Sequence, residues 1–296
     1  MSIDRRRALG ILAGTLPLVG LDKAMAQVPA PRPASRPIPV EPMPPLPRLS
    51  ITPAIAARVG RQVWINESGG RPEGVTAWND GEDFPSLGIG HWIWFKAGGH
   101  PIFEESFPRL VVFIAERGVK PPAWLDKRPV PPCPWPSKAA FMRDFHEPRM
   151  LELRRFLLDS VPQQTQYLLT RAEASLPKML TALASDDERR HLLGQLGRLV
   201  RSSPDLYPLI DYVNFKGEGI SEKETRFDAA TDRNLGWGLR WLLLEMRGVD
   251  DGAPALAEFS RAAKAVLDRR IRNHPPSQRW REGWHRRCDT YKRPLA

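Results

Sequence analysis

A helical spacing of apolar residues, unbroken by alternating strands, constrains this chain most. Ile55, Val59 and Val63 recur every four residues, which puts them on one face of a helix. Ser50 and Thr52 are candidate N-caps, Pro53 suits the first turn, and Ser68-Gly69-Gly70 supplies a stop where glycine allows positive φ. Helical periodicity returns over residues 103–117. It then runs from a Ser137 cap to the Glu147-Pro148 break, through several amphipathic segments over residues 149–203, and over 235–246, 253–273 and 278–291. The 235–246 segment is apolar enough to be a buried helix. Pro204 and Pro208 bracket a turn, and residues 120–136 and 217–232 read as loops. Residues 70–100 are rich in Gly, Asp, Asn and aromatics, with β-like pieces at 87–90 and 91–95, and predict an irregular lobe with a small hairpin. The expected class is mainly α (α+β); the missing strand–helix alternation excludes a doubly wound sheet.

Ahead of this domain, residues 1–26 have the layout of a secretory signal. Arg5, Arg6 and Arg7 open it, a glycine-diluted apolar stretch follows over 8–20, and Ala24-Met25-Ala26 offers a small-x-small cleavage site. Adjacent arginines followed by Ala8 and Leu9 match the core of twin-arginine signals, so the expected location is the periplasm or cell envelope. The apolar stretch is too short to span a bilayer, and no transmembrane segment is expected in the mature protein. Residues 27–49 hold nine prolines and read as an extended linker, which leaves residues 50–296 as the folded domain.

The formal charge is +10. Arg5, Arg6, Arg7 and Lys23 against Asp4 and Asp22 place +2 of it in the signal and leave +8 for the rest. A basic surface in the envelope favours polyanionic partners such as peptidoglycan glycan strands, and export argues against nucleic acid. Cys133 and Cys288 could form one disulfide in an oxidising compartment or remain separate thiols. The six histidines show no close metal-ligand spacing, so neither a metal nor a cofactor is expected.

Three segments carry candidate chemistry. The first is Asn66-Glu67-Ser68-Gly69-Gly70. The second runs from Trp78-Asn79-Asp80-Gly81-Glu82-Asp83 to Ser86-Leu87-Gly88-Ile89-Gly90-His91. The third is Asn214-Phe215-Lys216-Gly217-Glu218-Gly219. Glycoside cleavage needs a carboxylic acid to protonate the leaving oxygen and a second group to stabilise the transition state or position water. Glu67 suits the first role. A glutamate at a helix C-terminus faces the negative end of the dipole, an unfavourable place that calls for another reason to be there. Asp80 and Glu82 are candidates for the second role, on a loop that could fold back over the helix end. Trp78, Trp92 and Trp94 could give a sugar-stacking platform or simply core. Ser86, His91, Asn214, Lys216 and Glu218 are candidate substrate contacts, Lys216 for a peptide-stem carboxylate.

Glu67, the acidic loop and Ser86-Leu87-Gly88-Ile89-Gly90-His91 resemble phage-type lysozymes, whose order is Glu, Asp, then Thr-x-Gly-x-Gly-His. Serine stands where that pattern has threonine, and the stretch from Glu67 to Asp80 is longer. Glu67-Ser68-Gly69 also resembles the Glu-Ser-Gly of lytic transglycosylases, which use one carboxyl as acid and then base and release an anhydro-sugar. Gly236-Trp237-Gly238-Leu239 is faintly similar to their Gly-Leu-Met-Gln segment. The glycine motifs together resemble those of a family of exported bacterial proteins. The resemblance implies a lysozyme-like helical domain extended by further C-terminal helices. It also implies a glycosidase of MurNAc–GlcNAc bonds with Glu67 as general acid. A non-catalytic glycan-binding or scaffold module of the envelope is the alternative, and the export signal alone would also suit a redox or metal protein.

Overall fold

The computed structural model describes residues 42–99 and 104–295. The signal over 1–26 and the linker up to residue 41 lie outside the described residues. The described part of the linker, 42–49, has no regular structure. It ends with Leu49 buried and its N–H donating to Glu173 Oε1 at 3.3 Å.

Helix α1 spans Pro53–Ser68, with Thr52 Oγ1 accepting from Ile55 N–H at 3.3 Å and Gly69 ending it in the left-handed region. Its closest packing is on α5, Val161–Thr181. Gly60 permits it: a Cβ there would lie 2.3 Å from Thr165 Oγ1 and 2.6 Å from Val161 Cγ1. A mid-helix glycine costs about 1 kcal/mol of propensity, offset here by the close approach that fixes where the end of α1, and hence Glu67, sits.

The hairpin lobe follows. Strands β1 (Thr76–Ala77), β2 (Ser86–Leu87) and β3 (Trp92–Ile93) form an antiparallel sheet in that order. Gly88 and Gly90 serve packing as well as turning. A Cβ on Gly88 would lie 2.2 Å from Gln164 Oε1, which accepts from Ile89 N–H at 2.9 Å, and one on Gly90 would lie 2.5 Å from the Trp92 ring.

Helices α2 (Phe107–Ala115), α3 (Lys138–Arg143, capped by Ser137), α4 (Pro148–Asp159) and α6 (Asp186–Ser202) fall within the expected helical segments. The turn between Pro204 and Pro208 is present and leads into α7, Tyr207–Lys216, a helix left unmarked by the sequence pattern. Leu206 adopts φ 53°, Asp205 Oδ1 accepts from Tyr207 N–H at 3.1 Å, and Pro208 sits in the first turn. Residues 207–213 are all buried, so this helix is apolar on nearly every face and shows no amphipathic pattern. The polar loop over 217–232 instead contains β4, Thr225–Asp228, paired antiparallel with β5, Arg233–Gly236. The buried helix expected from residue 235 therefore begins later, as α8, Leu239–Glu245. Helices α9 (Ala253–Asn273) and α10 (Arg281–Asp289) complete the set.

The result is mainly helical, with two small antiparallel sheets. One apolar core runs from Val59 and Val63 through Leu153, Leu196 and Tyr212 to Phe259 and Tyr291. Cys133 and Cys288 are separate buried thiols, so the disulfide alternative is not realised. Burial pushes both up to about 12. No described helix is long and apolar enough to cross a membrane.

Candidate functional site

Helix α1 delivers Glu67, the hairpin delivers His91, and α7 delivers Asn214. These come from the three segments singled out in the sequence, and they meet at one carboxylate. Asn214 Nδ2 donates to Glu67 Oε1 at 3.0 Å, and His91 Nδ1 lies 3.8 Å from Glu67 Oε2. His91 has φ 50°, a left-handed conformation uncommon for a non-glycine residue, and it aims the ring at Glu67.

Nothing in the sequence marks the third partner. Arg287, on α10, donates through one Nη to Glu67 Oε1 at 2.6 Å. The same guanidinium forks onto Asp211 of α7, with Nε to Oδ2 and Nη to Oδ1 both at 2.8 Å. Tyr291 hydroxyl donates to Asp211 Oδ2 at 2.6 Å, and Asn66 Nδ2 donates to Oδ1 at 3.1 Å. Asp211 is fully buried, Arg287 is 8% exposed and Glu67 14%. Burial pulls the Arg287 guanidinium down, but Asp211 and Glu67 outweigh it and hold it well above its ordinary value. Asp211 and Asn214 are three apart on α7, and Arg287 and Tyr291 four apart, so each pair shares a helix face. The unfavourable placement of Glu67 at the end of α1 is thus offset by an arginine from a distant helix.

Glu67 opens onto a cleft of about 880 Å³ lined also by Asn66, Phe215, Trp280, Trp284 and Arg286. Trp280 is 42% exposed and stacks on Trp284 at 5.8 Å and 22°. Trp280 is the exposed indole of this cleft, and Trp284 beneath it is buried. Trp92 and Trp94 are fully buried and Trp78 is 5% exposed, so they belong to the core and form no platform. Phe113 and Arg171 flank the Trp92 neighbourhood through Tyr167 and the indole face.

The acidic loop does not reach the cleft. The Asp80 side chain is fully exposed and bonds Lys138 Nζ at 2.5 Å, which holds its carboxyl below the usual range. Glu82 accepts from Asn79 Nδ2 at 3.0 Å and Ser86 Oγ at 3.5 Å, a local turn network in which Trp78 Nε1 also donates to its backbone carbonyl at 2.8 Å. Ser86 is buried in β2 within that network. The loop acids expected to assist Glu67 therefore bond within their own lobe or to Lys138.

Comparison with protein-family models, with curated proteins and with solved structures returns no match.

The third segment and Gly236-Trp237-Gly238-Leu239 have a shared physical reason. Their backbones touch: a Cβ on Gly238 would lie 2.2 Å from Gly219 N. Leu239 N–H donates to Gly217 C=O and Arg240 N–H to Glu218 C=O, both at 3.0 Å. The Tyr212 hydroxyl donates to Trp237 C=O at 2.7 Å. This clasp holds Lys216, Glu218 and Trp237 around a second, more enclosed cavity of about 440 Å³, on whose wall Asn214 also lies.

Proposed function

We propose that the protein is an exported peptidoglycan glycosidase that cleaves MurNAc–GlcNAc bonds, with Glu67 as its catalytic acid. The convergence of His91 and Asn214 on Glu67, which itself lines a cleft shared with an exposed tryptophan, carries this reading. Arg287 holds the Glu67 carboxyl in place while Asp211 takes both arms of the guanidinium fork. The glycan would lie along the cleft, with a sugar face against Trp280, whose planar ring suits that contact. The lysozyme-like reading of the helical domain, the twin-arginine export and the periplasmic location belong to the same proposal.

Asp80 and Glu82 engage other partners, so the reading favours the one-carboxyl route. Glu67 first gives its proton to the glycosidic oxygen as the C–O bond breaks. The resulting carboxylate then takes a proton from a hydroxyl of the same sugar as that oxygen closes on the anomeric carbon. The proton count balances, water is not consumed, and the product is an anhydro-sugar. Purified sacculi digested by the wild type and by Glu67→Gln test this: product from the wild type only supports it. The enclosure of Glu67 by Arg287 and Asn214 favours one alternative, a lysozyme-like module that binds glycan without cleaving it. Sacculus binding without product from either protein would establish that module.

A further inference from the structure

The cavity on whose wall Asn214 lies gathers three cations, Arg171, Lys216 and Arg270, and two carboxylates, Glu218 and Glu224. Among the described residues none of the three cations forms an ion pair or donates a hydrogen bond to a protein acceptor. Their recorded contacts are with ring faces. Lys216 Nζ sits 3.9 Å from the Phe215 centroid and 3.7 Å from that of Trp284, and the Arg270 guanidinium lies 4.1 Å from Trp237. Arg270 is partly buried, and burial followed by the nearby Arg226 lowers its affinity for a proton. A guanidinium offers five donors and an ammonium three. Arg171 is exposed to water, but holding the half-buried Lys216 and Arg270 without a hydrogen-bonded acceptor is costly, and an incoming anion removes that cost.

We propose that this cavity binds the carboxylate of a small aminoacyl group, held by the Arg270 fork and the Lys216 ammonium, with the apolar part of the ligand against Trp237. Three features select this ligand. The planar fork of arginine matches a carboxylate. A volume of about 440 Å³ holds a group of one or two residues and excludes a folded partner. Glu218 and Glu224 on the same wall disfavour a multiply charged anion such as phosphate. Burial and then Glu218 raise the Glu224 carboxyl, and its side chain rests against Gly217, where a Cβ would approach both oxygens to 3.4 Å. The site is distinct from the Glu67 cleft and does not depend on Glu67 being catalytic.

The pH dependence follows from the groups facing Lys216. Burial, then Arg270 and Arg287, push its ammonium down to about 6, while Glu67 and Cys288 pull it up. A bound carboxylate favours the charged form, so binding takes up a proton. Affinity is fully expressed below about pH 6 and falls as pH rises toward 8, down to what the permanently charged Arg270 supplies.

The test titrates the full-length mature protein with N-acetyl-alanine and N-acetyl-alanyl-alanine, with their primary amides and with inorganic phosphate, by calorimetry at pH 6 and pH 8. The two acids separate a free amino-acid source from a peptide terminus, since only the dipeptide carries a second residue to Trp237. The expected result is saturable binding of at least one acid and at least tenfold weaker binding of its amide. Arg270→Met should remove that binding, and Lys216→Met should remove its pH dependence. Circular dichroism and unfolding curves confirm that each variant is folded. Amides that bind as well as the acids, phosphate that matches them, or no saturable binding of either acid would each overturn the proposal.

Discussion

Replacing Glu67 by Gln and Arg287 by Met should have very different consequences for stability. Both residues belong to one network, but their neighbours differ. Glu67→Gln removes a charge and keeps the shape. Arg287 retains Asp211 through two bonds of 2.8 Å, and Asn214 still has an acceptor in the glutamine carbonyl. The expected cost is about 1 kcal/mol, the worth of one ordinary hydrogen bond. Arg287→Met leaves Asp211, fully buried, with Tyr291 and Asn66 as donors but no counter-charge, and strips Glu67 of its closest partner. Removing one member of such a pair costs roughly 3–5 kcal/mol. A domain of this size changes its Tm by about 2–4 °C per kcal/mol, so the arginine variant should melt roughly 6–20 °C lower and the glutamine variant a few degrees lower at most. Urea unfolding followed by tryptophan fluorescence, with a thermal scan, measures both. A glutamine variant losing more than about 3 kcal/mol would refute the argument that Asp211 alone can satisfy Arg287. An arginine variant within about 1 kcal/mol of wild type would refute the network itself.

Asp80→Asn should change neither stability nor glycan cleavage by more than about twofold, measured by sacculus digestion, because its exposed carboxylate reaches only Lys138. Gly238→Ala should destabilise by roughly 1–3 kcal/mol in urea, the usual range for forcing atoms into a filled site, because its Cβ would meet the Gly219 backbone at 2.2 Å. The native protein should show no fast-reacting thiol toward a maleimide at pH 7, and two in denaturant without reductant. Burial raises both Cys133 and Cys288 to about 12, so they stay protonated as well as inaccessible.

What the sequence disclosed follows its physics. Helices α1 and α9 were legible because their apolar residues keep to one face between clear caps and stops. Helix α7 was not, because it is buried on nearly all sides and opens with Pro208, which resembles turn chemistry. That miss matters, since α7 supplies both Asp211 and Asn214 to the site. The three motif segments were visible as glycine-flanked acids and amides, and the structure brings Glu67, His91 and Asn214 together. Arg287 was invisible for the opposite reason. It lies in Arg286-Arg287 on a polar, arginine-rich helix, and nothing local separates the buried arginine from its exposed neighbour. Asp80 misled because loop spacing suggests a return path but does not fix a partner, and Lys138 is nearer. The indoles misled similarly: clustering near acids marked Trp78, Trp92 and Trp94, whereas the exposed indole of the cleft is Trp280, stacked on Trp284 far along the chain.

The central claim is that Glu67 cleaves glycan by giving up and recovering a proton. Its most direct test is mass spectrometry of the soluble products released from purified sacculi by the mature protein and by a folded Glu67→Gln variant. Anhydro-muropeptides from the wild type, and none from the variant, are the predicted result. Equal release by both proteins, or no release from sacculi that the wild type visibly binds, would contradict it.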